Sequence, residues 1–303
     1  MFSRWAWRIE SGRVLFTEFD MDSNTSVSII GAVLKNTSYQ LIFTTGLIAV
    51  FGLIVGLMNS AFFRLAGYKF GRTVCIATGF IGTPVHEIGH ALFCLIFRHR
   101  IVEIKLYQPN SEDGTLGYVN HRYNPKSIYH QMGNFFIGFG PILFGSAALL
   151  LLMFWLVPDL FAAFKVNSNF SEVLNLNIFS FSALKYVYDT MLGASVTFYS
   201  FSEFGDWRWW VFMIPACSIA LHMSLSVPDI KSSFAGFCFI VITLLIVNTT
   251  LYFVKADAML TLTNYCLTAG AYILNFLTVS VVFSLILFLF GVVVRVIRKF
   301  RGN

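Results

Sequence analysis

The chain has 303 residues, of which 57% are hydrophobic and only 12% charged, with a formal charge of +6 and a mean hydropathy of +0.72. Soluble domains carry roughly 25% charged residues, so this composition excludes an ordinary soluble domain and predicts an integral membrane protein in contact with the lipid bilayer. The basic excess lies in loops and at the ends without basic–aromatic interleaving, which excludes a nucleic-acid partner.

Residues 1–38 lack a continuous apolar core and mix both charges, so they read as an N-terminal arm rather than a cleavable signal. Trp5, Trp7 and Phe16 among Arg4, Arg8 and Arg13 suit a segment lying on the membrane surface. A helix of about 20 apolar residues crosses the hydrocarbon, and on that measure six candidates follow. The first is Tyr39–Met58, where Gly52 and Gly56 are spaced for a close helix contact. The second, Thr73–Phe97, holds the motif discussed below. After it, "VEIKLYQ" and "TLGYVNHRY" flank the turn-rich "PNSEDG", which predicts a β-hairpin at the membrane surface. The third candidate is Gly133–Val157. Pro158–Arg208, rich in Phe, Ser and Asn, follows as an extramembrane connection, either a cap on the core or a plain loop. The fourth and fifth candidates are Trp209–Ser226 and Phe234–Val254. Met259–Val294 is too long for one perpendicular span and predicts a short interfacial piece before a span from Tyr272 to Val294.

The fold class expected is therefore an all-α polytopic membrane protein with six transmembrane helices and a small surface hairpin. Its parts are an arm over 1–38, a first helix and connector over 39–72, a membrane core over 73–254 and a C-terminal segment with a basic tail over 255–303. Counted on alternate sides, fourteen Lys and Arg face one way and seven the other, which predicts that both termini are cytoplasmic. The five cysteines all lie in apolar segments without a C-x-x-C pair and read as small hydrophobes.

"GTPVHEIGHALFCLIF", residues 82–97, puts two histidines and a glutamate inside an apolar segment. An ionisable side chain near the bilayer centre costs about 2.5–3.5 kcal/mol on insertion scales, so a chain that keeps three of them there uses them. His86-Glu87-Ile88-Gly89-His90 is H-E-x-x-H: positions i and i+4 share a helix face, so both imidazoles can bind one metal ion. Glu87 is then placed to polarise a metal-bound water and take its proton. Imidazole and carboxylate ligands with an open position suit Zn²⁺. Such a site needs a third protein ligand, and two residues are candidates. Asp229 follows Pro228 where one span gives way to the next. His222 lies in an apolar span seven residues earlier, about 10 Å away along a continuous helix. Both could ligate only if the chain breaks near Pro228. Of the remaining histidines, His99 reads as a headgroup-level cation, and His121 and His130 as solvated loop residues.

Three places together resemble the site-2 protease family of intramembrane zinc metalloproteases. The family pattern is H-E-x-x-H in one helix, a β-strand region, a helix with A-G-P-x-x-N, and a later helix with the aspartate of a P-x-x-L-D-G-like motif. His86, Glu87 and His90 match fully, the hairpin matches in position, and Gly140-Pro141 matches. Phe144 stands where the family has Asn, and Ile230 replaces the glycine after Asp229. The resemblance covers about residues 74–240. It implies hydrolysis of peptide bonds in membrane-embedded or membrane-adjacent proteins and peptides. Glu87 would be the general base and His86, His90 and Asp229 the zinc ligands, with His222 as an alternative ligand or a donor behind the metal. The 103–123 hairpin is the candidate clamp for an extended substrate segment. Competing classes are a non-catalytic zinc-binding membrane protein and a transporter that uses the intramembrane polar cluster. A zinc protease with a glutamate third ligand is disfavoured, because Glu103, Glu112, Glu172 and Glu203 all fall outside the predicted spans.

Overall fold

Polar residues that interrupt the first apolar stretch end up inside a helix bundle rather than in an arm. The computed structural model describes residues 4–10, 13–19, 23–112, 114–167, 171–176, 180–198 and 205–300. An antiparallel hairpin of β1 (Arg4–Glu10) and β2 (Arg13–Phe19) comes first. Helix α1 (Ser23–Leu41) then runs through a π-helical turn, Ile42–Gly46, into α2 (Leu47–Ala66). The predicted boundary between arm and helix therefore falls within α1, and the helix begins well before Tyr39.

Asn36, Thr37 and Gln40 explain the difference. All three are buried, and together they find partners on two later helices, α8 (Val227–Val254) and α9 (Ala256–Phe300). Asn248 Nδ2 donates to Thr37 Oγ1 and to Gln40 Oε1, both at 2.8 Å. Gln40 Nε2 donates to Thr263 Oγ1 at 2.9 Å, and Thr263 Oγ1 donates to Asn36 Oδ1 at 2.9 Å. Buried polar groups without partners cost several kcal/mol in apolar surroundings, so this closed network lets the helix pass where composition alone suggested a boundary.

The motif helix α3 (Tyr68–Ile96) follows a single break at Gly67, whose φ of 82° suits glycine. It ends in a Schellman motif: Arg98 N–H donates to Leu95 O at 3.1 Å and His99 N–H to Cys94 O at 2.8 Å. Arg98 takes the left-handed conformation itself, with φ 56°, which costs a non-glycine residue about 1–2 kcal/mol. The predicted surface hairpin is present as β3 (Arg100–Lys105) paired antiparallel with β4 (Tyr118–Arg122), with a bulge between Ile101 and Glu103. Next come α4 (Ile128–Leu156), α5 (Pro158–Asn167), a 3-10 turn at Ser171–Asn175, α6 (Phe181–Phe198) and α7 (Trp207–His222).

Among the described residues, five helical runs are long and apolar enough to cross a membrane: Ser28–Ala66, Lys69–Ile96, Ile128–Leu156, Pro228–Val254 and Asp257–Ile297. The fourth predicted span is not among them. Helix α7 has 16 residues, about 24 Å at 1.5 Å per residue, against a hydrocarbon thickness of about 30 Å. Nor does the last run break into an interfacial piece and a span, because α9 is one helix of 45 residues. It is held along α2 and the π turn by close approaches at Gly270, where an added methyl would lie 2.6 Å from Phe43 O, and at Gly291 against Phe62 and Leu65. The predicted 158–208 connection is mostly helical where it is described. Phe164 of α5 stacks on Tyr272 and Phe276 of α9 at 6.0 and 4.9 Å, so this region caps the bundle rather than looping away from it.

Candidate metal centre

Glycines on α3 decide how near its neighbours come. A methyl at Gly89 would lie 2.7 Å from Gly140 O, and one at Gly140 would lie 2.6 Å from Gly89 O, so α3 and α4 touch backbone to backbone beside the motif. A methyl at Gly82 would meet Ser218 O at 2.3 Å and His222 Nδ1 at 2.4 Å, which lets the end of α7 reach the same face. On α4, Gly138 makes room for the start of α8: a methyl there would strike Ser233 Oγ at 2.0 Å and Asp229 O at 2.8 Å. Ser233 Oγ reaches across that junction to Asn134 O of α4 at 3.3 Å and also bonds Asp229 O within α8 at 2.6 Å.

These approaches bring His86, His90 and Asp229 together, with one potential ligand atom from each within 4.8 Å of the others. His86 Nε2 and His90 Nε2 stand 3.2 Å apart, and Asp229 Oδ1 lies 3.8 Å from His90 Nε2. Both Nδ1 atoms face backbone carbonyls: His86 pairs with His222 O and His90 with Ile137 O, each at 2.7 Å. A carbonyl only accepts, so each Nδ1 carries the proton and each neutral ring turns a bare Nε2 lone pair toward the other. Two lone pairs facing each other beside a carboxylate repel until a cation lies between them. Nitrogens at 2.0–2.1 Å on a tetrahedral zinc stand about 3.3 Å apart, close to the spacing observed. The residues present fit a zinc ion with two imidazoles and one carboxylate.

The two carbonyls are available because their own helices cannot use them. Ile137 O would accept from the N–H four residues on, but that residue is Pro141, which has none. His222 is the last residue of α7; Met223 N–H turns back to Ala220 O and Leu225 N–H goes to Gly52 O. The carboxylate is held in a comparable way. Ser226 caps α8, accepting from Asp229 N–H at 3.2 Å, while Asp229 Oδ2 accepts from Ser226 N–H at 3.1 Å and from the Ser226 hydroxyl. This capping box leaves Oδ1 toward the histidines. The chain break that would bring Asp229 back therefore lies over 223–226, with Pro228 in the first turn of the new helix rather than at the break. Gly52 of α2 receives both Ile142 of α4 and Leu225 of this linker, at 3.0 and 3.1 Å from an added methyl, whereas Gly56 meets the linker, with Leu225 O at 3.5 Å.

Compared with family models, curated proteins and solved structures, the chain gives no match. The resemblance to site-2 proteases rests on its motifs alone.

Glu87 is 6% exposed on the same helix, and among the described residues no hydrogen-bond donor meets its carboxylate. The strand leading into β4 covers it, since a methyl at Gly117 would lie 2.8 Å from both Glu87 Cγ and Thr83 Cγ2. His86 and Glu87 open on a cavity of about 480 Å³ between α2, α3, residues 114–117 and residues 221–226. None of the described residues of α5 or α6 lines it. The imidazole of His222 stays outside the ligand group. Its Nδ1 donates to Ser218 O at 2.9 Å, and only its backbone carbonyl touches a ligand.

Three histidines differ from expectation. His99 is 4% exposed, not a headgroup-level cation. It stacks on Tyr123 at 4.9 Å, donates through Nε2 to His130 O at 2.9 Å, and faces His121 Nδ1 at 3.1 Å. Burial holds the His99 pKa below the ordinary imidazole value, against the opposing effect of its hydrogen bond to His130 O, and burial likewise lowers His121. His130 accepts from Asn124 N–H at 3.0 Å. The Schellman turn after α3 tucks His99 under the hairpin instead of out toward solvent. Ser226 was legible as the first residue of an S-x-x-D box. The role of Ile137 O was legible only as the position four residues before a helical proline.

Proposed function

We propose that this chain is a multi-pass membrane protein that hydrolyses peptide bonds in membrane-embedded or membrane-adjacent substrates, with His86, His90 and Asp229 as ligands of a zinc ion. The observation that carries the reading is the pair of Nε2 lone pairs 3.2 Å apart with a carboxylate beside them. A zinc ion held there supplies a Lewis acid for activating water against a peptide carbonyl. Glu87 takes the proton from the attacking water on its carboxylate and returns it to the leaving amine. The hairpin over Glu87 limits access of bulk water to that carboxylate, and the 480 Å³ cavity gives the scissile segment a place beside it. A zinc site kept only for structure has no use for a buried carboxylate adjoining a ligand, which favours hydrolysis over a non-catalytic role.

The test is zinc content and cleavage measured together on purified protein with single-span peptide substrates. Wild type should hold one zinc and cleave, and His86→Ala should do neither. Glu87→Gln should hold zinc without cleaving, because an amide cannot take the proton. Cleavage by Glu87→Gln at the wild-type rate would remove Glu87 from the chemistry. A zinc-free wild type that still cleaves would remove the whole reading.

A further inference from the structure

Two residues that line the cavity beside Glu87 each carry a buried polar atom without a partner among the described residues. Its walls are largely apolar, with Leu53, Leu57, Phe63 and Leu116 among them, but Asn59 of α2 and Thr83 of α3 also line it. Asn59 Oδ1 and Thr83 Oγ1 are both buried with no hydrogen-bond partner among the described residues. The Asn59 carboxamide is not free to turn: its Nδ2 donates to Leu221 O at 2.8 Å, and a flipped amide would set oxygen against oxygen. Its Oδ1 is therefore a fixed acceptor.

Thr83 is 5% exposed and lies one helical turn before Glu87 on the same face. A helical threonine ordinarily returns its hydroxyl to the carbonyl four residues back. Thr78, Thr243, Thr249 and Thr250 all do so in this chain, at 2.7–2.9 Å. Thr83 makes no such bond to Gly79 O. Burying unpaired polar atoms lowers stability, and here two of them share one cavity with the candidate base and a candidate metal ligand.

We propose that Asn59 and Thr83 bind the backbone of the substrate, with Asn59 Oδ1 accepting a peptide N–H and Thr83 Oγ1 pairing with a neighbouring peptide group. This rests on the protease reading and narrows its substrate class to an unwound, predominantly apolar segment. A helix spends its N–H and C=O groups on itself, so only an extended stretch offers the donor that Asn59 lacks. The apolar walls accept its side chains, and Gly117 lets the hairpin close over it.

Two probes separate this proposal from the zinc reading in the zinc-loaded full chain. Acetohydroxamate touches the metal and little else, whereas an N-capped Leu-Leu hydroxamate also needs the cavity. Binding of both is measured by calorimetry to wild type, Asn59→Leu, Thr83→Val and His86→Ala. Thr83→Val is nearly isosteric and guards against misfolding at Asn59. Each cavity variant should bind the dipeptidyl probe about three- to tenfold more weakly, the size of one hydrogen bond, with acetohydroxamate unchanged. Methylating the probe's backbone nitrogen should erase the difference between wild type and Asn59→Leu. If both variants bind the dipeptidyl probe like wild type, ordered water satisfies these atoms and the proposal fails while the zinc reading stands. If acetohydroxamate weakens in step, the variants damage the metal site and the proposal also fails. If acetohydroxamate binds wild type no better than His86→Ala, the zinc reading falls and takes the proposal with it.

Discussion

Replacing Pro141 with alanine should make the protein more stable and the proposed zinc site weaker. Pro141 sits inside α4, where proline is about 3 kcal/mol less favourable than alanine. The substitution also removes two buried methylene groups, at about 0.8 kcal/mol each, so a net gain of about 1 kcal/mol remains. The new N–H, however, falls four residues after Ile137 and competes for the carbonyl that His90 Nδ1 uses at 2.7 Å. A carbonyl has two lone pairs and can serve both donors, but the helical bond pulls Ile137 O toward the axis and away from the ring. Loss of such a ring-orienting partner typically costs about 10–100-fold in metal affinity, or about 1.4–2.7 kcal/mol. The assay is competition for zinc against a chromophoric chelator in detergent, alongside thermal unfolding of the metal-free protein. Unchanged zinc affinity in a correctly folded Pro141→Ala would refute the argument that the proline frees this carbonyl for the ligand.

Ser226→Ala should weaken zinc by about 10–100-fold, because the hydroxyl that caps α8 also holds Asp229 Oδ2; Ser226→Thr should restore most of the affinity. Asp229→Asn should empty the site, whereas His222→Ala should keep zinc, since alanine retains the carbonyl that orients His86; the reverse order in zinc stoichiometry would make the ligand set three histidines. The hairpin should loosen in acid. Burial holds the folded pKa of His99 below its usual value, so its stabilising contribution is complete above the unfolded value of about 6.5 and is lost as pH falls below that value through the folded one. Hydrogen exchange in 100–105 and 118–122, corrected for intrinsic rates, should therefore rise at pH 5.5 relative to 7.5, and His99→Phe should flatten the dependence.

What the sequence revealed and concealed divides by the range of the interaction. The motif helix and the hairpin are local patterns, and each is where periodicity and turn chemistry put it, whereas the break expected at Pro228 falls over 223–226. The start of the first helix lies earlier than expected because Asn36, Thr37 and Gln40 look like a boundary until Asn248 and Thr263 supply their partners from more than 200 residues away. Helix α7 was assigned four residues too many for a similar reason. "HMSLS" is apolar enough to continue a span, and nothing local announces that His222 O is taken by His86. His99 looked exposed because "RHR" is charged, while the Schellman turn that buries it depends on an arginine accepting a left-handed backbone.

The site's three orienting partners share one origin. Each is a backbone or capping group released by a helix irregularity: Ile137 O by Pro141, His222 O by the end of α7, and Ser226 by the start of α8. Irregular backbone within an apolar bundle survives only where protein or a polar cavity lines it. The orphaned carbonyls consequently need donors, the histidine Nδ1 protons supply them, and in doing so they turn both Nε2 atoms toward Asp229. Filling the helix breaks and aiming the ligands are then one event. Stabilising α4 by removing its proline should therefore act against the site, whereas the conservative change at Ser226 should spare it because threonine caps a helix by the same bond. A site assembled from unrelated side chains would show no such opposition between helix regularity and zinc affinity. That opposition is the property by which the two origins can be told apart.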